Sequence, residues 1–310
     1  MKTSICMCTY NGEAFIEKQL LTIYEQTLKP DEVIISDDCS SDRTVSIIES
    51  FIKERGLEGS WKLIRNSENA GYLPNFYNTC IKCTGDIVFF ADQDDIWYPE
   101  KIEKMCEVFE KRPEAKVVCC KFGLVDGSGE KISGIMNPVH SSESATVNPI
   151  TIESVFRKCE WPAMVLAFRR EWYDGWKDIT AGSKIPHDYL FCSKAADEEG
   201  FLQLDLELAC HRRHDNNTAK EEHRMSVLLN KKRKLEEIDD YLKLLEAFES
   251  ENVLKSPRSL TALNEKKDIM LRRRDALSSG KLGKVISNAV KDRKYVRLKT
   301  VVCDLLIVKQ

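Results

Sequence analysis

The chain has 310 residues, 42% hydrophobic and 31% charged, with a formal net charge of −3. Those values describe a soluble globular protein, large enough for one α/β domain with appendages or for two modest domains, and they give no global pull toward nucleic acid. No apolar stretch reaches the length of about 18 residues that spans a bilayer, which excludes a transmembrane helix.

The predicted elements begin with a strand at Ser4–Cys8, preceded by no charged and apolar leader pattern. A helix from Glu13 to about Tyr24, a strand Glu32–Ser36 and a helix Asp42–Glu54 follow, then a strand Trp61–Arg65 and a helix near Pro74–Cys80. Strand Asp86–Ala91, helix Pro99–Lys111 and strand Lys116–Lys121 complete a βαβ rhythm that implies a mostly parallel sheet. Residues 123–148, rich in Gly, Ser, Pro and Asn, read as a surface loop or hairpin. A strand at Met164–Phe168, a loop carrying His187–Asp188 and a strand Leu204–Cys210 come next, so the first domain is expected to end near residue 217. From Glu221 onward, Leu228, Leu235, Ile238, Leu242, Leu245 and Phe248 recur at helical spacing, and a second helix is predicted over about Leu263–Ser278. Between residues 281 and 299 seven Lys or Arg stand against Asp292, a local charge of +6 with Leu282, Val285, Ile286, Ala289 and Val290 at helical spacing. Such a segment fits an anionic membrane surface, a basic helix packed on its own domain, or a pairing surface between copies.

Twelve cysteines lie scattered through apolar runs, among them Cys6, Cys8, Cys119, Cys120 and Cys192. That placement favours buried free thiols in a reducing cytoplasm over disulfides. The single Cys80-x-x-Cys83 pair has no second pair at zinc-site spacing.

Chemistry concentrates where strands end. Ile87–Phe90 run straight into Asp92-Gln93-Asp94-Asp95-Ile96-Trp97. Carboxylates just past a buried strand fit either a Mg²⁺ or Mn²⁺ site beside a polyphosphate or a solvated acidic turn before a helix. Thr9-Tyr10-Asn11-Gly12 ends the first strand without the G-x-G-x-x-G of a dinucleotide fold. An aromatic ring and an amide there can hold a nucleobase, or simply make an Asn-Gly turn. After the second strand, Ser41 or Asp42 in Ser36-Asp37-Asp38-Cys39-Ser40-Ser41-Asp42 is expected to cap a helix. Adjacent Asp37 and Asp38 then suit acceptors for a base N–H or ribose hydroxyls.

In order and spacing these stretches resemble the nucleotide-binding and D-x-D motifs of the family 2 glycosyltransferases of GT-A fold. The subgroup labelled rhamnosyltransferase-like, whose D-x-D reads Asp-Gln-Asp-Asp-Ile-Trp, is most similar. The resemblance covers about residues 3–217. It implies that Tyr10 stacks on the base, that Asp38 contacts it, and that Asp92 and Asp94 handle the sugar diphosphate and a Mg²⁺ or Mn²⁺ ion, Asp94 as the direct ligand. It also places a general base at Asp188 in Ile185-Pro186-His187-Asp188-Tyr189, where an aspartate could equally cap a helix. His187–Asp188 also suits metal phosphohydrolases, but those need more upstream histidines and only His140 precedes it. In His211-Arg212-Arg213-His214-Asp215-Asn216-Asn217 the subgroup often has Tyr where this chain has His211. Arg212 and His214 would offset diphosphate charge there, His214 also completing the metal shell, unless the cluster is a surface turn. Trp97 fits either the edge of a sugar pocket or the core. A further departure at Glu160-Trp161-Pro162-Ala163 leaves the acceptor open.

The resulting expectation is a GT-A catalytic domain over 1–217 and a helical region over 218–310. The activity would be metal-dependent, inverting transfer of a sugar from a nucleoside diphosphate donor to a glycan or lipid-linked acceptor. The expected location is cytoplasmic, with peripheral contact to the inner face of the plasma membrane through 281–310, and homo-oligomerisation is compatible. Alternatives are a sugar-1-phosphate nucleotidyltransferase, though this chain offers only Gly12 where those carry a Gly-rich basic loop, and a non-catalytic sugar-nucleotide scaffold.

Overall fold

The apolar runs without polar alternation form the centre of one sheet. In the computed structural model, which describes residues 1–132, 145–214, 229–292 and 295–309, β1 (Thr3–Thr9), β2 (Glu32–Asp37), β3 (Trp61–Arg65) and β4 (Ile87–Ala91) are all parallel. Ile5, Val33, Ile35 and every residue of β4 are fully buried, because helices cover both faces of these strands. The helices are α1 (Ile16–Tyr24), α2 (Thr44–Glu54), α3 (Tyr72–Cys80) and α4 (Lys101–Lys111).

The sheet continues through β5 (Ile96–Trp97), β6 (Val117–Val125), β7 (Val147–Pro149), β8 (Leu166–Arg169) and β9 (Phe201–Arg212). Its order is β3-β2-β1-β4-β8-β6-β9-β5, with β7 also on β9. Strand β8 enters antiparallel between β4 and β6, yet six of the nine described strands run the same way. The chain leaves β1 for β2 on one side and returns to β4 on the other, so a crevice opens at the carboxyl ends of β1 and β4. Register aligns those ends: Thr9 pairs with Asp37 and Met7 with Ala91. Tyr10, Asp38 and Asp92 therefore emerge along one edge.

Several boundaries differ from expectation for local reasons. Helix α1 starts at Ile16, not Glu13, because the Phe15 and Ile16 N–H groups both donate to the Gly12 carbonyl at 3.0 Å in a preceding turn. The predicted strand Lys116–Lys121 runs on to Val125 through register shifts after Cys120 and Lys121. His187 and Asp188, expected in a loop, are the first residues of α7 (His187–Asp197). Pro186 immediately before them suits that helix start, since its fixed φ is −51° and it needs no N–H partner. Two shorter helices, α5 (Ile152–Arg157) and α6 (Arg170–Asp174), flank β8.

The C-terminal helices are α8 (Lys231–Ser250), α9 (Pro257–Ser279), α10 (Leu282–Lys291) and α11 (Leu298–Lys309). Ile238, Leu242, Leu245 and Phe248 are the buried stripe of α8. Ser256 caps α9 by accepting the Ser259 N–H ahead of Pro257, and Gly280 ends it at φ +64°. These helices are fastened to the sheet layer. Asp197 accepts the Lys255 and Ser256 N–H groups at 2.9 Å, and Glu251 accepts the Ser183 hydroxyl at 2.6 Å and the Lys184 N–H at 2.9 Å. His140, Asp215–Asn217, the 217/218 boundary, Glu221, Leu228, Arg293 and Lys294 lie outside the described residues. Among the described residues no helix is long and apolar enough to cross a membrane. Each of the twelve cysteines is a free thiol.

Candidate active site

Two loops meet at the β1 edge. The Gln93 amide brackets the Tyr10 backbone, its Oε1 accepting the Tyr10 N–H at 2.9 Å while its Nε2 donates to the Tyr10 carbonyl at 3.0 Å. Gly12 makes room for this: a Cβ there would sit 2.3 Å from Gln93 Oε1. Asn11, at φ +48°, accepts the Ser41 N–H at 2.8 Å and donates its own N–H to the Ser40 hydroxyl at 2.9 Å. The ends of β1 and β2 and the acidic loop are thus sewn together by side chain to backbone bonds.

That sewing also takes in residues expected at the nucleoside. Thr9, Asp37 and Asp38 are only 2%, 2% and 3% exposed. Asp37 accepts the Thr9 hydroxyl at 2.9 Å, the Ser40 N–H at 2.9 Å and the Ser40 hydroxyl at 2.5 Å. Asp38 accepts Asn66 Nδ2 at 2.8 Å and the Ala70 and Gly71 N–H groups at 2.9 and 2.8 Å. Internal donors engage both carboxylates in this structure. Tyr10, half exposed, is the member of this set whose ring is open to a ligand.

Beyond β4 the acidic residues divide. Asp95 is 1% exposed and accepts the Arg212 N–H at 3.0 Å, so it holds the loop. Asp94 meets His214, with Nε2 2.8 Å from Oδ2, and the imidazole lies on Phe15 with ring centroids 4.4 Å apart. Asp92 is pushed up to about 7, first by burial and then by the like charges of Asp94 and Asp188. The donor chemistry fits a hard divalent cation, because carboxylate oxygens are its preferred ligands and the like charges of Asp94 and Asp188 raise Asp92 despite the opposing Lys101 ammonium. The expected three ligands are nevertheless not gathered: Asp94 and His214 are in contact, whereas no group of three His, Cys, Asp or Glu converges among the described residues.

Two further expected site residues are buried. Trp97 is 2% exposed, near Phe89 with the Lys101 ammonium 3.3 Å from its ring centre, so it is core rather than pocket edge. Arg212 is 1% exposed; its Nε donates to the Asp94 carbonyl at 2.7 Å and its Nη1 to the Asp126 and Gly127 carbonyls at 3.2 Å. The guanidinium clamps two loops. Trp161 donates its indole N–H to Gln203 at 2.9 Å and packs edge-on against Phe201.

At the start of α7, Asp188 accepts the Tyr189 N–H at 2.8 Å, and burial pushes its carboxyl up to about 6 against that bond. His187 is turned into the core, stacked on Phe76 at 4.1 Å and pushed by burial down to about 3, hence neutral. Sequence reading missed Gln93, Phe15, Asn66 and Lys101. Lys101, fully buried and donating to the Met164 carbonyl, is pushed down to about 7 by burial. Its position four residues after Trp97 is the one local signal; the Gln93 to Tyr10 link, 83 residues apart, leaves none.

The family model described as Glycosyl transferase family 2 matches residues 4–179. Curated relatives include an uncharacterized glycosyltransferase of Nostoc sp., 26% identical over 173 residues, 55% of this chain and 52% of that protein. Another is the dTDP-rhamnosyl transferase RfbG of Shigella flexneri, 40% identical over 110 residues, 33% of this chain and 37% of that protein. The chain thus spans about half the length, or less, of these relatives. Among solved structures, S. aureus TarS 1-349 in complex with UDP-GlcNAc aligns with TM-score 0.57 at 17% identity, covering 100% of this chain and 90% of that one. The mannosyltransferase PcManGT from Pyrobaculum calidifontis, in complex with GDP-Man and Mn²⁺, aligns with TM-score 0.51 at 16% identity over 99% and 85%. At such identity the likeness bears on the fold, which is GT-A.

Proposed function

Because the chain belongs to glycosyl transferase family 2, we propose that it moves one sugar, in a single inverting displacement, from a nucleoside diphosphate donor to a hydroxyl of a glycan or lipid-linked acceptor in cell-surface polysaccharide synthesis. One observation carries this reading. His187, the residue before Asp188 at the start of α7, packs edge-on against Phe90 of β4 with ring centroids 5.3 Å apart, so a candidate base stands beside the strand end that leads into Asp92.

Each residue then has a task. The exposed Tyr10 ring stacks on the base, on a backbone that Gln93 fixes. Asp37, Asp38, Thr9 and Asn11 hold the loops that shape the nucleoside pocket. Asp188 accepts the proton of the attacking hydroxyl, and a carboxyl near pH 6 is ionised at neutral pH yet basic enough to act. Asp94 with His214, and Asp92 beside them, would hold Mg²⁺ or Mn²⁺, which when bound supplies a Lewis acid for the leaving diphosphate. An inverting single displacement needs one base and no nucleophilic carboxylate on the enzyme. The nucleotidyltransferase alternative is less favoured, because Tyr10–Phe15 carries no basic residue and Gly12 is packed against Gln93.

Asp188→Asn tests the reading. Transfer should fall about 10²- to 10⁴-fold while donor binding changes little. Normal turnover in that variant would remove Asp188 from the base role, and absence of turnover in the unaltered chain with every donor tried would favour a non-catalytic scaffold.

A second proposal concerns the basic end. Val290 and Leu298 are 72% and 80% exposed beside Lys281, Lys284, Lys291 and Lys299, which supports contact with an anionic membrane surface at its cytoplasmic face.

A further inference from the structure

A cavity of about 370 Å³ lies where the end of α5 faces α8, α9 and the segment leading into α11. Its lining is cationic: Arg157, Lys158, Lys266, Arg273 and Arg297 against the single carboxylate of Glu237. Some of that charge is already matched. Arg273 is held by Asp304 at 2.5 and 2.9 Å, Lys158 and Arg297 share Glu160, and Glu237 pairs with Lys234.

Lys266 and Arg157 are different. Neither has an acidic partner among the described residues, and Lys266 is only 6% exposed, its ammonium 5.0 Å from the Tyr241 ring centre. Burial, aided by Arg273, pushes Lys266 down to about 7. A buried cation facing a cavity without a counter-charge is costly, and an incoming anion removes that cost. The Tyr241 hydroxyl, 2.7 Å from that of Tyr189 and donating to the Phe156 carbonyl at 3.2 Å, fixes the cavity wall, and Tyr189 is the residue after Asp188. Ile238 and Met270 line the same cavity, so it accepts apolar bulk beside the charge.

We propose that this cavity is a phosphoryl-binding subsite that takes a phosphate ester carried by the acceptor, at a distance from the hydroxyl that is glycosylated. Two basic side chains without acidic partners match a doubly charged group with several acceptor oxygens better than they match a carboxylate. The proposal rests on the transferase reading for the word acceptor, while the anion site itself stands on the cavity.

Titration calorimetry with octyl phosphate and with inorganic phosphate, in EDTA so that no metal-dependent donor site contributes, tests it. Octyl phosphate should bind the unaltered full chain about tenfold more tightly than inorganic phosphate, through the apolar lining. Lys266→Met, which keeps the buried stem, should weaken it by about tenfold or more. Arg157→Gln, on the exposed rim and remote from the core, should weaken it about threefold. No binding to the unaltered chain, or equal binding to both variants, would overturn the proposal. Inorganic phosphate binding as tightly as octyl phosphate would mark a free-anion site and overturn the assignment to an acceptor. Donor hydrolysis without acceptor, compared between the unaltered chain and Asp188→Asn, reads the transferase assignment separately.

Discussion

In its proposed role as base, Asp188 answers to two demands that pull apart, since a base must ionise and a buried carboxylate resists ionising. Burial raises its folded value to about 6, above the 3.8 of a free side chain. The folded state therefore binds the proton more tightly, and stability declines as pH rises from about 4 through about 6, then levels off. Asp188→Asn, which never ionises, should gain on the order of 2–4 °C in Tm at about pH 7.5 and little near pH 4. Across the same range kcat/KM of the unaltered enzyme should fall about tenfold per pH unit below about pH 6. A flat stability difference between the two proteins over that range would mean that Asp188 is not strained by burial. Asp92, Asp94 and Asp188 were legible as candidates because hard ligands and bases are written in residue type at strand and helix ends. The inward turn of Asp37 and Asp38, the burial of Trp97 and the clamp made by Arg212 were not. They depend on partners such as Ser40, Asn66 and the Asp94 carbonyl, and in the last case the partner lies 118 residues away.

Helix α7 connects the candidate base to the rest of the chain, and its far end is where the C-terminal helices take hold. Burial pulls the Asp197 carboxyl upward, yet the Lys255 and Ser256 amides outweigh it and keep it below the ordinary range. Asp197→Ala leaves two backbone donors without their acceptor and should cost about 1–3 kcal/mol, read as a Tm drop on the order of 2–6 °C. An unchanged Tm would show that water replaces the carboxylate. Long elements were legible, since unbroken apolar strands and the Ile238, Leu242, Leu245 and Phe248 stripe carry their own periodicity. The two-residue β5 was not, because its pairing with Ala209 and Cys210 is a property of β9. Nor was the start of α7 at His187, which a loop-like Gly-Ser stretch just before it obscures.

At the scale of the whole molecule, α8 to α11 form a flank that both supports α7 and presents an apolar strip outward. Replacing Val290 and Leu298 by Asp should release the protein from phosphatidylglycerol vesicles in flotation while its Tm stays within about 2 °C, since both side chains are exposed. Undiminished flotation would sink the membrane proposal, and a light-scattering mass that halves on substitution would assign the strip to pairing of copies instead. The bracket between Gln93 and the Tyr10 backbone has a thermodynamic corollary. One side chain belongs at once to the acidic loop proposed to hold the cation and to the turn proposed to seat the nucleoside, so under those roles ordering either one lowers the entropy still to be lost by the other. Reciprocity then requires that a bound ion raise nucleoside affinity by the same factor by which the nucleoside raises ion affinity, whichever arrives first.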